Sequence, residues 1–270
     1  DDRPGAIDLI PSSGSISFSA VGFAYGTETV GGTQGAESPP TVLDDFNLEV
    51  PAGQTIAIVG RTGSGKSTIA RLLMRFYELQ AGVISLDGHD ITSLTQRSLR
   101  GAISLVPDEP FLFSTSIHEN IAYGNPGATS EEVEAAARAA QAHEFILGLD
   151  DGYKTIVGER GYDLSGGQRQ RISLARLFLQ DSKVIILDDS TSAIDVEIEE
   201  RIHHALKDLL KARTTIVIAH RLSTIALADR VILIEAGRVV ADGTHQQLLE
   251  SEPRYAETLA STAEEDQSWS

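Results

Sequence analysis

The chain has 270 residues, 41% of them hydrophobic and 23% charged, enough for one sizeable core with a subdomain attached. A formal net charge of −17 opposes non-specific binding to nucleic acid, which needs a basic surface to displace counterions from phosphates. With no cysteine it forms neither disulfides nor zinc–thiolate sites, and no apolar run approaches the roughly 18–20 residues of a membrane-spanning helix. The opening residues Asp1, Asp2, Arg3 and Pro4 lack the apolar stretch of a signal peptide. A soluble, intracellular protein is the expectation.

In chain order, residues 1–15 hold two prolines, several serines and no sustained period, and read as a linker. Ile16–Phe18 alternates like a strand. Gly26–Pro40 is of low complexity and reads as a long flexible hairpin loop. Thr55–Val59 has the continuous apolar character of a buried strand, and Ser67–Tyr77 has helical spacing. Further strands are expected at Val83–Leu86, Ile103–Val106, Val184–Leu187, Thr215–Ala219 and Val231–Ile234, the last followed by a turn at Glu235–Gly237 into Arg238–Ala241. Between Val106 and Val184 the pattern is helical. Ser130 is expected to N-cap a helix through Leu147, and a second helix follows Gln168. A sheet core interrupted by a helical insertion is the resulting picture. The tail from Glu264 onward is acidic and reads as disordered.

Gly60-Arg61-Thr62-Gly63-Ser64-Gly65-Lys66-Ser67-Thr68 fits G-x-x-x-x-G-K-[ST] between an expected strand and an expected helix. Glycines let the backbone wrap a polyphosphate, and the amides of residues 63–67 together with the helix dipole favour its negative charge. Lys66 is expected to neutralise the β- and γ-phosphates of a nucleotide, and the Ser67 hydroxyl to ligate Mg²⁺. At the far end of the apolar run Val184–Leu187 stand Asp188 and Asp189. A carboxylate there suits the Mg²⁺ shell, so Asp188 is the candidate ligand. Asp189 is placed to orient the attacking water.

Leu164-Ser165-Gly166-Gly167-Gln168 opens the second expected helix and supplies another anion site of glycine amides, a serine hydroxyl and a helix N-terminus. Its spacing from the phosphate loop and from the strand-end acids makes the chain resemble an ABC transporter nucleotide-binding domain over roughly residues 16–250. The resemblance implies an α/β fold: a P-loop NTPase (RecA-like) core with an antiparallel β subdomain and a helical subdomain inserted at about residues 109–180. It implies ATP and Mg²⁺ as ligands, and a second such ATPase domain whose bound ATP meets the signature Leu164–Gln168. Tyr25 matches the aromatic that stacks on adenine. Asp195, in Ser192–Asp195, matches the loop that crosses the dimer interface, and His220 matches the switch histidine at the γ-phosphate.

Thr155–Gly161, with Glu159 and Arg160, resembles the segment of exporters in which a membrane domain precedes the ATPase in one polypeptide. In that branch it contacts the membrane domain. Residues 1–15 then read as the join to an absent transmembrane domain, 16–250 as the ATPase, and 251–270 as an acidic tail. Such a piece is soluble and works at the cytoplasmic face of the membrane. Two positions depart from the family pattern. Asp189 stands where a Glu is usual, and Asp108 stands where a Mg²⁺-ligating Gln is usual. Asp108 is still a hard oxygen ligand. Both changes fall on this chain's own site, while the signature it lends is intact. The reading therefore favours a slow, degenerate site in one half of a heterodimer. A homodimer in which Asp189 works, and a nucleotide-sensing module that does not hydrolyse, are its alternatives. A ribosome- or DNA-directed ATPase fits poorly, because the chain has neither a tandem domain nor a basic surface.

Overall fold

A computed structural model describes residues 2–10, 13–26, 40–158, 164–219 and 221–267. The chain divides into two compact units. Unit 1 is formed by residues 1–103 and 214–270, and unit 2 by residues 104–213.

Unit 1 is built on two groups of strands. The first is the antiparallel set β1 (Ile16–Ala24), β2 (Thr41–Val50), β4 (Ala81–Leu86) and β5 (His89–Asp90), in the order β2-β1-β4-β5. In the second, β3 (Thr55–Val59) lies between β8 (Thr214–Ile218) and β9 (Arg230–Glu235), parallel to both. β10 (Arg238–Gly243) pairs antiparallel with β9. Every residue of β3 and β8 is buried, which is why these segments read as continuous apolar runs and not as alternating ones. β1 alternates, but its buried set moves from Ile16 and Phe18 to Val21 and Phe23. The register shifts between Phe18 and Val21, where Ala20 has φ 49°. One extra residue flips the side-chain phase. β2 does the same around Asp45 (φ 50°), with Leu43 buried before it and Phe46 after it, so its period of two is broken and the strand was not foreseen. Phe18 and Phe46 meet edge to face at 5.5 Å across the two strands.

The ends of unit 1 are more ordered than composition implies. The backbone of Ile7 exchanges hydrogen bonds with Ser93 and Thr95. The Asp87 carboxylate accepts from the amides of Ser13, Gly14 and Ser15 at 3.2, 2.8 and 2.9 Å. Serines and glycines that look like linker composition are here donors to one acid. At the other end, α9 (His245–Ser251) is followed by α10 (Pro253–Gln267), so the disorder expected of the acidic tail does not extend over this helix. Tyr255 is fully buried and its hydroxyl lies 2.7 Å from His245 Nδ1.

Unit 2 contains β6 (Ile103–Val106) from Ser104 onward, α3 (Ile117–Ala122), α4 (Ser130–Ala139), α5 (His143–Leu147), α6 (Gly166–Leu179), β7 (Val184–Asp188) and α7 (Val196–Leu210). The helix expected from Ser130 through Leu147 is two helices, with Gln141 at φ 54° between them. Its N-cap is Thr129, not Ser130. The reason lies three residues on: Glu132 reaches back to the Thr129 amide at 2.7 Å, completing a capping box, whereas Val133 has no group to return to Ser130. The same device, with Ser116 and Glu119, starts α3. Thr129→Ala is expected to cost about 1 kcal/mol of unit 2 stability in urea unfolding, and Ser130→Ala no more than a few tenths.

Candidate nucleotide site

Unit 1 carries the phosphate loop. β3 runs out at Val59, and α1 (Lys66–Leu73) begins after six intervening residues with Gly65 as its N-cap, at φ 102°. A side chain is excluded at Gly65 twice over: by that positive φ, and because a Cβ there would lie 2.9 Å from Leu43 Cδ2 and 3.0 Å from the Val42 carbonyl. Lys66 is buried and its Nζ donates to the carbonyls of Gly60 (2.6 Å) and Arg61 (3.1 Å), which folds the ammonium back over its own loop. The Ser64 hydroxyl is buried and has no hydrogen-bond partner. A glycine-wrapped loop that runs into the N-terminus of α1 fits a polyphosphate.

Tyr25 stands at the same opening. A cavity of about 380 Å³ is lined by Tyr25, Thr62, Gly63, Lys66, Ser67 and Arg71 among others. The Tyr25 hydroxyl is 2.9 Å from Thr68 Oγ1 and accepts from Arg71 Nη1 at 3.3 Å. Its ring meets Phe23 and Tyr77 edge to face at 4.9 and 5.1 Å, which holds it upright. Thr68, read from the sequence as part of the phosphate cradle, therefore has a second task in tethering the aromatic.

Unit 2 carries the acids and the signature. Ser165 caps α6: its hydroxyl accepts from the Gln168 amide, and the Gln168 side chain accepts from the Ser165 amide at 2.9 Å. The glycines at this tip have a packing reason as well as a chemical one. A Cβ on Gly167 would sit 2.5 Å from the Ala193 carbonyl, so only glycine lets the helix start against the loop that leads to Asp195. The Leu164 carbonyl accepts from Arg169 Nη1 at 2.6 Å. Asp188 ends β7, and Asp189 turns the chain with φ 44°, a left-handed conformation that Asp tolerates better than most residues. Asp108 is exposed, and its Oδ1 accepts from Ser192 Oγ at 3.3 Å. Asp195 is exposed at the N-cap of α7 without a side-chain capping bond. His220, Glu159 and Arg160 lie outside the described residues.

Among the buried polar groups of unit 2 that sequence reasoning missed, Gln170 and Glu199 lie beside the acids. Gln170 was passed over as a helix residue, although it sits on the stripe Gln170, Ser173, Leu174 and Leu177 that α6 buries. A carboxamide on an apolar stripe was the available signal. The other is Glu199, whose Oε1 accepts from Thr191 Oγ1 at 2.8 Å and lies 3.5 Å from His203 Nε2. It ties the residues after Asp189 to α7. Burial holds His203 below its ordinary pKa against the pull of the Glu199 carboxylate, with Lys207 adding to the depression.

A glycine-rich loop between β3 and α1, an antiparallel sheet in the same unit and a Ser165-capped helix in the other define the ATP-binding domain of an ABC transporter, in which ATP hydrolysis coupled to transport is typical. The model of the ABC transporter family matches residues 43–192. The chain belongs to that family. It is 46% identical over 255 residues to the ATP-dependent lipid A-core flippase of Desulfotalea psychrophila, covering 94% of this chain and 42% of the flippase. Against ABC transporter B family member 14 of Arabidopsis thaliana it is 45% identical over 263 residues, 97% of this chain and 20% of that protein. The solved structure of a bacterial Atm1-family ABC exporter with ATP bound superposes with a TM-score of 0.89 at 42% identity, over 97% of this chain and 44% of the other. The chain thus spans less than half the length of these relatives. No helix among the described residues is long and apolar enough to cross a membrane.

The His203 depression predicts an acid limb of stability. The unfolded chain takes up a proton near the ordinary value of 6.5 that the folded unit refuses, so stability is present above that pH and declines below it. Thermal unfolding of the wild type between pH 7.5 and 5.5 is expected to show this decline, and His203→Gln to flatten it.

Proposed function

We propose that this domain is the motor of an ABC exporter, binding Mg-ATP and closing head-to-tail on a second ATPase domain to drive a transmembrane domain at the cytoplasmic face of the membrane. One observation carries the reading: the chain has two helix tips suited to phosphate, the Gly60–Thr68 loop ahead of α1 and the Ser165-capped start of α6. The exporter relatives support the same assignment. Tyr25 offers the adenine contact, Lys66 and the loop amides bind the β- and γ-phosphates, and the signature Leu164–Gln168 serves an ATP held mainly by the partner. Ser67, Asp188 and Asp108 are the side chains that would hold Mg²⁺, which supplies charge neutralisation between the phosphates. Asp189 orients the attacking water and His220 contacts the γ-phosphate. Asp195 reaches the partner domain, and Glu159 with Arg160 meets the membrane domain. Transported substrate is chosen by the membrane helices.

The site on this chain is proposed to be the slow one of a heterodimer. Asp189 is one methylene shorter than a glutamate and draws its carboxylate back by about 1 Å, a misplacement able to cost about 10²-fold in rate. Asp108 adds negative charge beside the triphosphate, and its carboxylate is already engaged by Ser192. A second reading, a homodimer with Asp189 as a working acid, is favoured by the tightly held turn around Asp189, where Gln170, Thr191 and Glu199 are all hydrogen-bonded. ATP binding and turnover of the full-length protein separate the two. Lys66→Ala is expected to weaken Mg-ATP binding at least about tenfold in either case. In the degenerate-site case Asp189→Glu raises turnover by about 10–100-fold. Brisk wild-type turnover unchanged by Asp189→Glu decides for the homodimer. Failure of the wild type to bind Mg-ATP defeats both.

A further inference from the structure

We propose that Gln170 is a positioning residue that holds the loop after β6 and the loop after β7 as one piece, so that Asp108, Asp189 and the partner-facing residues 192–195 move together. The proposal rests on the ATPase reading above and deepens it. The Gln170 side chain is 2% exposed and every part of its carboxamide is engaged. Nε2 donates to Ser192 Oγ at 2.9 Å, to the Asp108 carbonyl at 3.3 Å and, more weakly, to the Asp189 carbonyl at 3.5 Å. Oε1 accepts from the Ala193 amide at 3.0 Å. The Ser192 hydroxyl in turn donates to Asp108 Oδ1 at 3.3 Å and closes a ring of three residues, Gln170, Ser192 and Asp108. One turn earlier on α6, Gly167 sits against the Ala193 carbonyl and fixes the backbone distance that the side chain spans.

A structural filler would not have this form. The other buried positions on this stripe of α6 are Ser173, Leu174 and Leu177, and an apolar residue at 170 would fill the space without the cost of desolvating an amide. A buried carboxamide is tolerated only when its donors and acceptor are all met, and then it specifies one arrangement of the groups it joins. The groups joined here are three main-chain atoms and one serine hydroxyl, on two loops that carry acids of the proposed site. Asp189 is held at φ 44°, and its carbonyl is one of the groups that Gln170 reaches. Beside the ring opens a cavity of about 620 Å³, lined by Asp108, Glu109, Phe111, Arg169, Gln170 and Ser192 among others, so the loop after β6 has room to shift. Through Gln170 any such shift is passed to Asp189 and to Ala193.

The experiment compares wild type, Gln170→Ala, Gln170→Glu and Ser192→Ala in the full-length protein, by hydrogen exchange without nucleotide and by Mg-ATP binding and turnover. The glutamate keeps the size but sets an acceptor against three oxygens. Gln170→Ala and Gln170→Glu are expected to deprotect peptides covering residues 106–112 and 189–195 together. They are also expected to lower kcat at least about tenfold with the Kd for Mg-ATP and the Tm little changed. Adding Ser192→Ala to Gln170→Ala should bring no further loss, because both act on one ring. Deprotection confined to one peptide, a kcat within twofold of wild type, or a loss of kcat that only tracks a fallen Tm would each overturn the proposal. Wild type that binds no Mg-ATP defeats the nucleotide reading instead, and the exchange data then decide alone whether Gln170 joins the two loops.

Discussion

A helix start favours negative charge, and this chain has two such starts where a side chain would be in the way. At α1 the obstruction would be Leu43 and the Val42 carbonyl; at α6 it would be the Ala193 carbonyl. Glycine at 65 and at 167 removes it. The cost is a loop that is weakly specified by its own conformational preference and must be held from outside. Much of the surrounding structure does that holding. β2 presses Val42 and Leu43 against the phosphate loop, Lys66 folds over the carbonyls of Gly60 and Arg61, and the Ser165–Gln168 capping box fixes the tip of α6.

Charge placement follows the same logic. A net charge of −17 is an unfavourable background for a polyanion, so attraction must be local. Within unit 1 it comes from oriented amides and the buried Lys66, not from a basic surface. Within unit 2 the acids stand at chain ends or turns: Asp188 at the last position of β7, Asp189 in the turn after it, Asp108 on the loop after β6. Each carboxylate keeps access to solvent or to a donor, which lets several acids coexist without full desolvation.

The loop after β7 is tied from several sides. Thr191 is bound by Glu199, Ser192 by Gln170 and Asp108, and Ala193 by Gln170. These ties come from three separate elements, α6, α7 and the loop after β6. A segment fixed from so many sides has few independent motions, and a displacement at one anchor is felt at the others. That is a useful property in a domain whose family couples nucleotide chemistry to movement elsewhere.

Local order in the chain determined much of this by itself. The Gly60–Thr68 loop, the apolar strands at Thr55–Val59 and Val184–Leu187, the acids at 188 and 189 and the pentapeptide Leu164–Gln168 all have their meaning in contiguous residues, where spacing maps directly onto strand, turn or helix tip. What the sequence hid was decided by partners far along the chain. β2 is not legible because a bulge at Asp45 breaks its period, and within the seeming linker Ile7 is held by Ser93 and Thr95, and Ser13–Ser15 by Asp87. The acidic tail forms a helix over Pro253–Gln267, with Tyr255 buried and bonded to His245. Gln170 and Glu199 look like ordinary helix residues until folding delivers Asp108, Thr191, Ser192 and Ala193 to them. Periodicity reports which face of a helix is buried; only the tertiary structure says which distant polar group meets a buried one, because that hydrogen bond leaves no trace in local spacing.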